Sequence, residues 1–254
     1  VLSGFDARQI ATLCGSAFAA GILNAIAGGG SFLTFPALVF CGIPSIVANA
    51  SSTVALFPGS FAATWAYRSD LARVRGINVR RFWMVSIVGG IAGAALLLRT
   101  PPGIFDRLVP WLLLFATLVF LVGNRARDWL RTRWTPTEAP LLFAQLLIAV
   151  YGGYFGGGIG ILMLAALALY GLEDIHSMNA VKTLLAGSLN GVAVVLFVIG
   201  GKVDWAPTVL MLAAAIPGGW AGARLAHRIP PKWLRAFVIF VGAAMSAWFF
   251  TRAS

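Results

Sequence analysis

Asn24-Ala25-Ile26-Ala27-Gly28-Gly29-Gly30-Ser31-Phe32 interrupts one apolar run of this chain, and Gly152-Gly153-Tyr154-Phe155-Gly156-Gly157-Gly158-Ile159-Gly160 interrupts another. Each glycine costs a helix about 1 kcal/mol relative to alanine and takes positive φ freely, so three in a row predict a helix break. In lipid a break exposes backbone groups that no water satisfies, and it is tolerated only where protein buries it or where it lines a polar cavity. Breaks at matching places in two halves point to a solute site near the bilayer midplane.

Composition identifies the solvent. Of 254 residues, 59% are hydrophobic and 11% charged, against about 25% charged in soluble domains, and the mean hydropathy is +0.88. The apolar runs are long and continuous rather than alternating, so they predict membrane helices. A net charge of +11 raises the question of nucleic acid. Apart from Lys182, however, the basic residues lie at the ends of apolar segments or between them, where cytoplasmic retention of Lys and Arg explains them. The expected partner is the lipid bilayer, and no nucleic acid is expected. Cys14 and Cys41 follow no metal or redox spacing and are expected as buried thiols, with a disulfide between them left open. Val1 to Arg8 lack a basic leader ahead of the apolar run, so no secretory signal is expected there.

Outward from the first break, residues Gln9 to Cys41 are too few for two full spans and a turn. One broken span and two short helices dipping in and back out both fit. Spans of ordinary length follow near Ser45 to Tyr67, Phe82 to Leu98 and Phe105 to Val122. The charged, proline-bearing stretch Asn124 to Pro140 reads as a boundary. The plan then recurs, with a broken segment over Leu141 to Tyr170 and spans near Met178 to Ile199, Ala206 to Ala223 and Trp233 to Phe250. Two echoes secure the repeat: Asn49-Ala50-Ser51-Ser52-Thr53 against Asn179-Ala180-Val181-Lys182-Thr183, and Gly89-Gly90-Ile91-Ala92-Gly93 against Gly218-Gly219-Trp220-Ala221-Gly222. Gly89 and Gly93, like Gly218 and Gly222, share a helix face and read as close-packing positions. The organisation expected is a first repeat over 1–123, a cytoplasmic linker over 124–140 and a second repeat over 141–254, all in one transmembrane domain.

Loop charge selects the topology. If each broken segment returns to the side it entered from, Arg68, Arg73, Arg75, Arg80, Arg81, Arg125, Arg127, Arg131, Arg133, Arg224, Arg228, Lys232 and Arg235 fall on one face. Only Arg8, Arg99, Arg107, Lys202 and Arg252 fall on the other. The positive-inside rule then favours an all-α integral membrane fold of two inverted repeats, each a glycine-broken re-entrant helix pair plus three transmembrane helices, with both termini outside.

A polar stripe opens the span after each break. Asn49, Thr53 and Ser60 have the same spacing as Asn179, Thr183 and Asn190, which puts each trio on one helix face. Ser52 and its repeat mate Lys182 flank the stripes. Interhelical hydrogen bonding is the structural alternative for Asn, Ser and Thr. Lys182 is the sharper signal: it lies about one turn into a span with no acidic residue at helical spacing, and a buried ammonium invites an anion. Snorkelling to the nearby surface is its structural alternative. Helix N-termini after the bends would add free amides and partial positive charge. The expected substrate-binding set is Gly29, Gly30, Ser31, Asn49, Ser52, Thr53, Gly157, Gly158, Asn179, Lys182 and Thr183. All eight acidic residues lie in or near loops, so no intramembrane carboxylate offers a sodium site or proton relay. His176, at the mouth of the second stripe, reads as a surface histidine, with titration during transport left open; His227, in a basic loop, reads as structural. No metal, cofactor or catalytic residue is expected.

These motifs carry a resemblance. Ala27 to Ser31 with the following Pro36 and Gly42, Asn49 to Thr53, Gly156 to Gly160 and Asn179 to Thr183 together resemble the TauE/SafE (TSUP) family of sulfite and organosulfonate exporters, over essentially the whole chain. The resemblance implies a multi-pass protein of the bacterial inner membrane that exports a small sulfur-containing anion, such as sulfite or sulfoacetate, and it implies no enzyme. The residues alone leave room for an anion channel sharing the same pore, and for an intramembrane hydrolase. The hydrolase fits poorly, because Gly187-Ser188-Leu189-Asn190-Gly191 is not a nucleophile elbow and both histidines lie outside the span interiors.

Overall fold

The computed structural model describes residues 5–26, 29–74, 76–133, 137–172, 174–225 and 231–253. Among them the chain is helical throughout: α1 (Ala7–Ile26), α2 (Ser31–Phe40), α3 (Ser45–Ala66), α4 (Arg68–Arg73), α5 (Val79–Arg99), α6 (Pro102–Arg133), α7 (Glu138–Tyr154), α8 (Ile159–Leu169), α9 (Ile175–Ile199), α10 (Trp205–Leu225) and α11 (Pro231–Ala253). Val79–Arg99, Pro102–Gly123 and Ser177–Ile199 are long and apolar enough to cross a membrane, while α2 and α8 are short and apolar. Large side chains such as Phe240, Val88 and Phe143 are exposed on the outside of the bundle, as a lipid-facing surface requires. The molecule is an all-α, multi-pass membrane bundle.

Local chemistry sets the helix ends. α1 opens with a reciprocal capping box, in which the Gln9 amide donates to Asp6 Oδ1 at 2.7 Å and the Asp6 amide to Gln9 Oε1 at 3.0 Å. At α5 the Asn78 side chain accepts from the Arg81 amide, and Thr100 leaves the helix ahead of Pro101, with Pro102 opening α6. α2 and α8 end alike: Gly42 (φ 87) and Gly171 (φ 98) turn left-handed, and the next amide reaches back to the Leu38 and Leu167 carbonyls. α6 runs 32 residues to Arg133, so 124–133 of the expected linker is a continuation of a helix.

Helices exchange partners between the halves. α1 packs on α10, and α5 packs on α7. Side chains on Gly21 and Gly218 would strike the facing helix backbone, at Ala215 and Phe18 respectively. On Gly93 and Gly153 they would strike the Val150 and Gly90 carbonyls. The small-residue stripes therefore serve close packing. α3 lies on α9, and α6 on α11.

The two short hairpins open at opposite ends of α5. At one end, Asp6 before α1 lies near Cys41 after α2, where burial and then the carboxylate push the thiol up. The turn after α2 shares a cavity of about 450 Å³ with Pro102, Asp106 and Lys202. At the other end, Arg81 pairs with Glu138 at the start of α7 at 2.7 Å, and Phe82 meets Tyr170 after α8 edge to face.

Candidate functional site

Both triple glycines fall between helices, α1 and α2 at the first and α7 and α8 at the second. Gly28 lies outside the described residues; Gly29 (φ 97), Gly156 (φ 82) and Gly158 (φ 76) are left-handed, a conformation that only glycine takes cheaply. The bends are satisfied differently. At the first, the Gly30 amide donates to the side-chain oxygen of Asn24 at 2.8 Å. At the second, the amides of Gly157, Gly158, Ile159 and Gly160 have no acceptor among the described residues, although all four residues are buried. The Tyr154 carbonyl, left over at the end of α7, accepts from Asn49 Nδ2 at 3.0 Å. The start of α8 thus holds free N–H groups and the positive end of a helix dipole.

One aromatic ring joins the bends. A Cβ on Gly29 would stand 2.8 Å from Phe120 Cζ and one on Gly158 3.5 Å from Phe120 Cε2, so the Phe120 ring of α6 lies against both backbones. Phe32 of α2 meets Phe120 edge to face at 5.6 Å, and Phe35 of α2 meets Phe155 of the second bend at 5.7 Å. Ala116, one turn before Phe120, faces Gly157 and Gly158.

The stripe residues divide into two groups. Gly187 of α9 faces Ser60 and Thr64 of α3, and Gly191 faces Phe57, so the helices run antiparallel. Counting along both from that crossing at 1.5 Å per residue puts Asn49 and Lys182 roughly 24 Å apart along the pair. Asn49 belongs to the second bend, while Asn179 and Lys182 sit together toward the end where α9 begins. Lys182 is 7% exposed, its ammonium donates to Asn179 Oδ1 at 2.8 Å, and among the described residues no carboxylate pairs with it. Ser52 bonds Thr34 of α2 at 2.6 Å, joining the two helices. Thr53 and Thr183 bond carbonyls of their own helices, which spends their single protons there. Ser31, half-buried, opens α2.

Asp174 accepts from the Ser177 amide and hydroxyl and so caps α9. The side chain of His176, and all of His227, lie outside the described residues. Cys14 and Cys41 are free thiols. Among the described residues no cluster of three or more His, Cys, Asp or Glu could hold a metal. Reading the sequence alone missed Asn24 and Phe120. Asn24 carries a signal, a short polar side chain six residues before Gly30. Phe120, one apolar residue in an apolar span, carries none.

Relatives agree along the chain. A protein from Haemophilus influenzae described as a probable membrane transporter protein is 29% identical over 237 residues, covering 91% of this chain and 90% of that protein. The probable membrane transporter protein YfcA of Escherichia coli (strain K12) is 30% identical over 235 residues, covering 91% and 86%. ORF9 of Sinorhizobium sp, described in the same words, is 30% identical over 242 residues, covering 93% and 90%. No solved structure is a significant match. With the family model "Sulfite exporter TauE/SafE" matching residues 13–249, which include both glycine bends and both polar stripes, the chain belongs to the TauE/SafE family of membrane transporter proteins.

Proposed function

We propose that this protein is a secondary transporter exporting a small sulfur-containing anion, sulfite or an organosulfonate such as sulfoacetate, across a bacterial inner membrane by alternating access. Lys182 carries the reading. Burying a lysine in a membrane helix is costly, and here the charge, about two turns into α9, is buried beside a neutral amide, with no carboxylate paired to it among the described residues. A negative solute supplies the missing counter-charge. The anion meets Lys182 and Asn179 first from the cytoplasmic side, then the free amides of Gly157 and Gly158 beside Asn49, with Gly29, Gly30 and Ser31 on the opposing bend. Ser52, Thr53 and Thr183 line the way and position the helices.

The halves act as inverted repeats, with each hairpin re-entrant. In support, the hairpins open at opposite ends of α5, and α1 with α10 mirrors α5 with α7. Rocking one repeat against the other then exposes the bends to either side. The family's description as a sulfite exporter supports the substrate class. Proteoliposome flux of radiolabelled sulfite and sulfoacetate tests the proposal. Lys182→Ala is expected to lower flux about 10–100-fold, the worth of a charge-assisted contact, and Lys182→Arg to retain part of it. The reading fails if neither anion moves faster than in protein-free vesicles, or if Lys182→Ala matches the parent protein.

A further inference from the structure

We infer that Phe120 sets the size limit on the transported anion. The inference rests on the proposed transport and names a residue of that same site. Phe120 is 1% exposed and its ring touches the left-handed glycine of each bend, Gly29 from one half and Gly158 from the other. Ala116 and Phe155, its neighbours there, have a glycine contact with the second bend alone. The free amides that would receive an oxyanion, those of Gly157 and Gly158, lie on the same backbone that the ring covers. An anion bonded to them must place whatever its sulfur carries against the Phe120 edge. A benzene ring offers no charge and no strong hydrogen bond, so it selects by volume: a bare oxyanion passes, a short substituent fits, and a bulky one meets the ring. Phe32, edge to face on Phe120, keeps the ring from turning aside.

The test uses the purified full chain in proteoliposomes, with sulfite, methanesulfonate and benzenesulfonate as probes. Phe120→Leu is expected to raise the benzenesulfonate-to-sulfite flux ratio about tenfold, and Phe120→Trp to lower the methanesulfonate-to-sulfite ratio by a similar factor, the scale on which a pocket discriminates by a few carbon atoms. Phe82→Leu provides the control: Phe82 is equally buried but packs on Tyr170, away from the bends, so its loss loosens the bundle without moving either ratio. Ratios are independent of how much protein reconstitutes, and Phe120→Met serves if the leucine variant does not fold. Unchanged ratios in a protein that transports sulfite overturn the role of Phe120 alone. A parent protein that moves none of the three overturns the transport reading and this one with it. Ratios that shift equally in Phe82→Leu overturn the role as well, since general loosening then explains them.

Discussion

Replacing each of two buried amides by leucine is expected to have unequal effects on stability, a loss at one and no loss at the other. Asn49 is 2% exposed and donates to the Tyr154 carbonyl at 3.0 Å, a carbonyl with no other partner among the described residues. Asn49→Leu keeps the branched shape but removes the donor, leaving that buried carbonyl without its side-chain partner. A lost polar pair between membrane helices averages about 0.6 kcal/mol, reaching about 1.7, and an unsatisfied buried group costs about 1–3 kcal/mol. The expected loss is about 1–3 kcal/mol. Gln145 is fully buried too, and its Nε2 donates to Ser86 Oγ at 2.8 Å. Its Oε1, however, has no partner among the described residues, and Ser86 gives its own proton to the Phe82 carbonyl. Gln145→Leu therefore removes one modest hydrogen bond together with an existing penalty of about 1–3 kcal/mol, and stability should hold or rise by about 1 kcal/mol. Thermal unfolding in one detergent reads both; at this chain length 1 kcal/mol corresponds to about 2–4 °C on soluble-protein scaling. A melting temperature for Asn49→Leu at or above the parent value, or a clear fall for Gln145→Leu, refutes the hydrogen-bond accounting.

Two glycines separate packing from propensity. Gly153→Ala pushes a methyl group onto the Gly90 backbone and should cost about 1–3 kcal/mol, the range for overpacking, whereas Gly15→Ala, inside α1 with nothing within 4 Å, should gain about 1 kcal/mol of helix propensity. The same melting series checks both. Cys41 reports topology: in a Cys14→Ser background, a membrane-impermeant maleimide should label it from outside the cell. Because the thiol pKa is raised by burial and by Asp6, less thiolate is present at neutral pH, so labelling should be slow there and keep climbing above the ordinary thiol range. Labelling from the cytoplasmic side only would sink the proposed orientation.

The sequence by itself determined the membrane solvent, the helix spans and the two breaks. Those properties are local: hydropathy sets a span, and three consecutive glycines end a helix wherever they fall. α3, α5, α9, α10 and α11 accordingly begin within about three residues of where the apolar runs put them, inside the usual ambiguity of helix ends. Charge was a poorer guide at 124–133, where arginines read as a linker but no breaker stands, so α6 runs on through them. The duplicated polar stripes of Asn49 and Asn179, and the lone Lys182 beside the second, could be read from the chain, yet their separation along α3 and α9 could not. Only the tertiary structure decided that α1 pairs with α10 and α5 with α7, that Asn49 of the first half caps Tyr154 of the second, and that Phe120 meets both bends. In lipid one apolar helix face is chemically much like another, so the choice of neighbour rests on shape and on hydrogen bonds between distant residues, and neither leaves a period in the chain.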